Sequence, residues 1–339
     1  MRALRVHGAG DLRVEERPVP GPGPGEVLIS TTFGGICGSD LHYYREGAVG
    51  EFKVLEPMVL GHEVVGRVEA LGEGVGRLKL GTPVAVHPAT PCGSCPQCQG
   101  GRENICPNSA YLGSAARFPH VQGGFAELLA VRADQLRELP PGLDEEDAVL
   151  AEPLAVALHA VARAGPVAGK RVLVTGAGPI GLLAVAVLQH AGAAEVVVSD
   201  VLEAPLARAA QLGAATTFLV GRSDGLEGGA DVAVEASGSA GGLQACVEGV
   251  RPGGAIVALG IPGGPASLPV ARLVTRELAL VGSYRFGPEF DQALRLLAHG
   301  FNVEGVVSHS FALDNACQAF ELAGDRAVTS KVVLRFSGT

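Results

Sequence analysis

Cys92, Cys95, Cys98 and Cys106 follow the spacing C-x2-C-x2-C-x7-C within one segment, CGSCPQCQGGRENIC. Four thiolates this close can surround one zinc ion as a tetrahedron, and an all-thiolate shell leaves no open position for a substrate. The cluster therefore reads as a structural zinc site, with the chemistry elsewhere. Disulfide pairing fits poorly, because Cys92, Cys95 and Cys98 are crowded and three more cysteines, Cys37, Cys246 and Cys317, are scattered. An iron–sulfur cluster takes the same four thiolates, but neither a second four-cysteine set nor a redox partner motif accompanies it. A zinc ribbon for nucleic acid is opposed by charge: 35 acidic residues face 26 basic ones, for a net −9 without a basic stripe.

A second chemical segment is Gly176-Ala177-Gly178-Pro179-Ile180-Gly181, a G-x-G-x-x-G sequence. It follows the apolar run Arg171–Thr175, opens the helical stretch Pro179–Ala191, and is trailed by Asp200 at the end of the next apolar run. In that context the glycines permit a tight turn, close approach of backbone to pyrophosphate, and close helix packing. The helix N-terminus supplies N–H groups and positive potential to the phosphates. Asp200 is placed to accept from the adenosine ribose hydroxyls and to repel a 2′-phosphate, which favours NAD over NADP. Arg208 lies downstream, where a cation would soften that preference.

A third set is weaker by itself. Cys37, in Gly35-Ile36-Cys37-Gly38-Ser39-Asp40-Leu41-His42, and His62, in Gly61-His62-Glu63, could join a carboxylate as three metal ligands with room left for water or an alcohol. In isolation Cys37 reads as a small buried hydrophobe and His62 as a satisfied core residue.

Two kinds of element must position these groups. The first 150 residues are rich in Gly and Pro, with short β-branched runs at Val27–Ile29, Val64–Val65, Val84–Val86 and Leu128–Val131, the pattern of a β-rich domain. Glu145–Ala164 has helical periodicity, interrupted by Pro153. From Lys170 strands and helices alternate, which predicts a doubly wound parallel sheet. The tail to Phe336 reads as a strand, a helix and a final strand that return to the first domain. The fold class is thus α/β, and hydrophobic content of 47% supplies large cores.

In chain order, GICGSDLH, GHE, the four-cysteine loop and the glycine fingerprint resemble the zinc-dependent medium-chain dehydrogenase/reductase family over essentially the whole chain. Alcohol dehydrogenases carry a third-ligand cysteine after the structural zinc loop; this chain instead has Ala151-Glu152-Pro153-Leu154, which is closer to the polyol dehydrogenase branch. CGSDLHYY (37–44), PMVLGHEVV (57–65), GSAARFPHVQGGF (113–125) and GSYRF (282–286) resemble the L-idonate 5-dehydrogenase group. The resemblance implies a GroES-like catalytic domain of residues 1–150 and 287–339, with a Rossmann NAD-binding domain of residues 151–286 between. It implies two zinc ions per chain, the catalytic one held by Cys37 and His62 and completed by Glu63 or Glu152, directly or through water. Asp40 corresponds to a residue that hydrogen-bonds the ligand histidine.

By the same resemblance, zinc lowers the pKa of a substrate hydroxyl, hydride passes to the nicotinamide, Ser39 contacts the substrate oxygen, and His42 ends a proton relay. The implied reaction interconverts L-idonate and 5-keto-D-gluconate; sorbitol or xylitol is the alternative substrate. Arg285, Arg117 and His120 are candidates to meet a carboxylate, and Tyr43 to hydrogen-bond a substrate hydroxyl. A nucleotide-binding structural or regulatory protein that has lost catalysis is the rival from another class, and intact Cys37, Ser39, His62 and Glu152 count against it. The family forms dimers and tetramers, so a homodimer or homotetramer is expected. Zinc thiolates, the lack of an apolar leader in the first 18 residues and the lack of a long apolar stretch predict a cytoplasmic protein without membrane or nucleic-acid partners.

Overall fold

In a computed structural model of the chain, residues 1–222 and 229–336 are described. Two sheets organise them. A six-stranded, wholly parallel sheet has the spatial order Thr216–Leu219, Glu195–Asp200, Arg171–Thr175, Ala230–Glu235, Val250–Ala258, Ala279–Gly282. Numbered along the chain, that order is 3-2-1-4-5-6, the doubly wound arrangement that binds ligands where the strand order reverses. Strand Arg171–Thr175 is nearly continuous in apolar residues, as burial on both faces requires. The reversal point lies at its carboxyl end, where Gly176 begins the glycine turn.

The other sheet has seven strands, with Glu26–Gly35 at its centre. This ten-residue strand pairs antiparallel with Glu63–Leu71, Leu128–Arg132 and Lys331–Arg335. The last of these pairs parallel with Val307–Ala312, so the carboxyl-terminal strands extend a sheet begun near the start of the chain. A smaller sheet joins Arg2–Gly8, Asp11–Glu16 and Met58–Val59. None of these three strands was legible in the sequence: charged residues break the apolar runs of the first two, and Met58–Val59 is only two residues long.

The helical periodicity of 145–164 resolves into Glu145–Ala148 and Ala151–Arg163. Pro153 is the third residue of the second helix. There its missing N–H is one that the helix would leave unpaired anyway, so it starts the helix rather than breaking it. Helix Ala151–Arg163 is buried along most of its length. It packs in one core with Leu182, Leu183 and Val187 of the helix after the glycine turn and with Phe290, Leu294 and Leu297 of helix Glu289–Ala298. Glu152, in its first turn, is thereby fixed between the two sheets. Among the described residues, no helix is long and apolar enough to cross a membrane.

Candidate active site and its two metal clusters

The four cysteines form a knot outside the main cores. Their sulfurs lie 3.5 Å apart for Cys95–Cys98 and Cys92–Cys106, and 3.8 Å for Cys95–Cys106. A disulfide needs about 2.05 Å. Tetrahedral sulfurs on one zinc, with bonds of about 2.3 Å, sit about 3.8 Å from one another. The donor set and spacing therefore fit zinc. The chain supports this locally: Cys95 caps the short helix Pro96–Gln99 by accepting from the Cys98 N–H at 3.5 Å.

The second cluster is assembled from separate elements. Cys37 caps helix Gly38–Glu46, at the end of the central strand. His62 and Glu63 follow Gly61, whose φ of +95° is a left-handed turn, and a side chain on Gly61 would collide with the Phe125 ring. The ligand atoms of Cys37, His62 and Glu63 all lie within 4.8 Å of one another; Glu152 does not belong to that set. The buried Asp40 carboxylate braces both segments, accepting from the Cys37 N–H at 2.9 Å and the Gly61 N–H at 3.2 Å. Its distance to His62 Nδ1 is 4.0 Å, an ion contact rather than the hydrogen bond expected. Asp40 orders the histidine through the backbone instead.

The electrostatics fit a bound dication. Glu63, Glu152 and Asp40 are all buried near Cys37. Lys331 is the cation paired with Glu63, its Nζ lying 2.7 and 2.8 Å from the two oxygens and 3.1 Å from the Ile36 carbonyl. Burial by itself would lower the pKa of His62, but Cys37, Asp40 and Glu152 raise it to about 10. Surroundings that hold a proton this firmly favour any cation at the ring, and a metal ion competes for that position. Gly35 has no side chain because the Glu63 carboxylate fills the space.

Lys331 and Tyr111 escaped the sequence reading. Lysine is rare in this chain, and one at the head of the apolar strand KVVLR was the available signal for a buried pair. Tyr111 donates to Glu152 Oε1 at 2.7 Å and lies beneath the Arg285 guanidinium, whose Cζ is 4.0 Å from its ring centroid. Burial, with Glu152 beside it, holds the phenol well above its ordinary pKa, so it is the donor.

The other candidates are sorted by their contacts. Ser39 is half-buried in the first turn after Cys37; His42 is exposed, with Nδ1 2.8 Å from Glu46 Oε1. Tyr43, in contrast, is a core residue whose hydroxyl accepts from the Ala115 N–H at 3.0 Å, so it shapes the 113–116 loop. His120 is likewise committed: Nε2 accepts from the Leu55 N–H at 2.8 Å and Nδ1 donates to the Arg117 carbonyl at 2.7 Å. Arg117 is exposed and bonds the Asn108 carbonyl. Of the three carboxylate candidates, Arg285 is the one linked to the cluster, through Tyr111, whose ring lies 5.6 Å from that of His62.

The glycine turn meets the requirements of a dinucleotide. Gly176 has φ +90°, and a Cβ there would lie 2.7 Å from Ser237 backbone; one on Gly181 would strike the Gly176 carbonyl; one on Gly178 would meet no protein atom within 4 Å, which leaves the face a pyrophosphate needs. Helix Pro179–His190 begins there without a side-chain cap, so Ile180 and Gly181 belong to a turn with uncommitted N–H groups. Asp200 Oδ2 accepts from the Ala177 N–H at 2.8 Å and Oδ1 from the Leu202 N–H at 3.0 Å. Each oxygen keeps a lone pair for a further donor. Arg208 does not reach this site: its guanidinium binds the Thr329 and Val328 carbonyls at 3.0 and 2.7 Å.

Comparison with known proteins agrees with this geometry. Residues 23–141 match the alcohol dehydrogenase GroES-like domain, and residues 179–299 the zinc-binding dehydrogenase family. The chain is 39% identical over 338 residues to L-idonate 5-dehydrogenase (NAD(P)(+)) of Escherichia coli, spanning 98% of this chain and 97% of that protein. It is 37% identical over 330 residues to sorbitol dehydrogenase of Macaca fascicularis, spanning 94% and 91%. The crystal structure of the E. coli L-idonate 5-dehydrogenase superposes with a TM-score of 0.94 at 39% identity, covering 99% of this chain and 98% of that one.

Proposed function

The chain belongs to the zinc-dependent medium-chain dehydrogenase/reductase family, and from that premise we propose that it oxidises a secondary hydroxyl of a sugar acid with NAD, interconverting L-idonate and 5-keto-D-gluconate. The observation that carries the substrate class is Arg285, a guanidinium stacked on Tyr111, whose ring lies 5.6 Å from that of His62; a substrate carboxylate would find a paired charge there. Likeness to the idonate enzyme supports the same reading.

Cys37, His62 and Glu63 hold the catalytic zinc in this reading, and the four cysteines hold the structural one. When bound, the catalytic ion is a Lewis acid that lowers the pKa of a substrate hydroxyl. The residues of the chain do the rest. Ser39 hydrogen-bonds the reacting hydroxyl, accepting its proton while giving up its own along the relay. His42, one helical turn further on and exposed, stands at the outer end of that relay and passes a proton to solvent. Gly176, Gly178, Pro179, Ile180 and Gly181 seat the cofactor pyrophosphate, and Asp200 orients the ribose. The catalytic unit comprises 1–150 and 287–339, the nucleotide unit 151–286. The enzyme acts in the cytoplasm as a homodimer or homotetramer.

NADH formation by zinc-loaded enzyme, with L-idonate, D-gluconate, sorbitol, xylitol and L-threonine offered side by side, tests the reading. Preference for L-idonate is expected. Preference for sorbitol or xylitol would keep the metal chemistry and replace the substrate class, an outcome to which the sorbitol dehydrogenase likeness gives weight. NAD binding without turnover of any alcohol would leave a regulatory nucleotide-binding protein.

A further inference from the structure

Tyr111 holds none of the roles assigned above, yet it touches two residues that do. Its hydroxyl donates to Glu152 at 2.7 Å, its ring face carries the Arg285 guanidinium at 4.0 Å, and the same ring lies 5.6 Å, centroid to centroid, from His62. These contacts use different parts of one side chain. Arg285 has φ +53°, a conformation uncommon for a residue with a side chain, and its neighbour's carbonyl accepts from Asn104 Nδ2 at 2.9 Å. A flexible cation is thus fixed on an aromatic face by its own backbone and by the four-cysteine lobe.

The hydroxyl contact bears on coordination number. Cys37, His62 and Glu63 already supply three ligands, and a catalytic zinc needs its fourth position open. Glu152 is a buried carboxylate near enough to influence His62 and Glu63, and if released it could take that position. We propose that Tyr111 is a positioning residue which joins the metal site to the substrate-side cation: its hydroxyl holds Glu152 off the metal, and its ring sets Arg285 to receive an anionic substrate group. The proposal rests on the reading of the site as a zinc dehydrogenase centre.

The two contacts are separable. Tyr111→Phe keeps the ring and removes the hydroxyl; Tyr111→Leu removes both. Zinc affinity is measured by competition with a chromophoric chelator, the four-cysteine ion being assigned separately in Cys37→Ser, and the visible spectrum of cobalt-substituted protein reports coordination. Tyr111→Phe is expected to bind the buried-site metal about tenfold more tightly, the scale on which partners of metal ligands act, to shift the cobalt spectrum and to lose kcat. Adding Glu152→Gln should abolish the tightening. Unchanged or weaker metal affinity in Tyr111→Phe overturns the hydroxyl's role.

For the ring, Tyr111→Leu should raise KM for L-idonate about tenfold relative to sorbitol, whereas Tyr111→Phe should leave that ratio alone. An unchanged ratio in Tyr111→Leu overturns it; if that variant does not fold, Tyr111→Met supplies the measurement. Should no aldonate be a substrate, the substrate assignment and the ring's role fall together, while the metal measurement still decides the hydroxyl's role.

Discussion

The two metal clusters are built on opposite plans. The four cysteines come from one 15-residue segment, their partners are each other, and Cys92 is open to solvent. The Cys37–His62–Glu63 cluster draws on separate elements of the chain, buries His62 and Glu63 with Cys37 partly exposed, and surrounds its ligands with groups that have partners of their own: Asp40 with two backbone N–H groups, Glu63 with Lys331, Glu152 with Tyr111. The first plan closes a shell around an ion and asks nothing of the fold beyond a short loop. The second leaves a shell open and must use the fold to keep neighbouring carboxylates from filling it. A structural site can be local; a catalytic site depends on what restrains the residues around it.

The contrast breaks most sharply in Cys37→Ser. This variant should lose essentially all NADH formation and keep its fold by circular dichroism, whereas retained turnover would move the chemistry away from the buried cluster. Next in size is Lys331→Met, which leaves Glu63 buried at 1% exposure without its cation. Removing one partner of such a pair costs about 3–5 kcal/mol, and the double variant with Glu63→Gln should recover much of it in urea unfolding. Loss of less than about 1 kcal/mol in the single variant would mean that Glu63 is neutral or otherwise paired.

Two histidines sharpen the comparison further. His62 sits among anions and is raised to about 10; His87 is packed against Phe286 and Phe290, ring centroids 5.2 Å away, and burial lowers it to about 4. Between pH 6.5 and 4 the unfolded chain protonates at His87 and the folded chain does not. Stability from this residue should therefore fall as pH drops through that window, by about 3 kcal/mol in all. His87→Gln should flatten that part of the stability–pH curve, and an unchanged slope would refute the assignment. The smallest effect concerns the cofactor: Asp200→Asn removes the charge and keeps one acceptor oxygen, enough for the Ala177 N–H but not for the Leu202 N–H as well. It should shift the NADP-to-NAD ratio of kcat/KM about tenfold toward NADP, the scale of one lost charge repulsion near the ribose.

What was legible in the sequence follows the same division. The four-cysteine loop and the glycine turn are local, and their spacing alone announced their geometry. The parallel sheet was legible because strands buried on both faces have apolar runs; only Thr216–Leu219, short and begun by two threonines, was missed. The buried cluster was legible in its ligands but not in its restraints. Lys331 lies 268 positions from Glu63, and Tyr111 41 positions from Glu152, so no local pattern could pair them. Tyr43 and His120 show the converse. Both occur in segments that resemble a substrate site, but backbone N–H and carbonyl groups, which no motif displays, already hold their polar atoms.

The measurement closest to the central claim is zinc per chain, alongside NADH formation, in the parent protein, Cys37→Ser and Cys98→Ser. Two zinc ions in the parent and one in each variant, with turnover lost in Cys37→Ser while the zinc left in Cys98→Ser still supports hydride transfer, is the predicted result. One zinc in the parent after full metal loading, or undiminished turnover in Cys37→Ser, would contradict the division into a closed structural site and an open catalytic one.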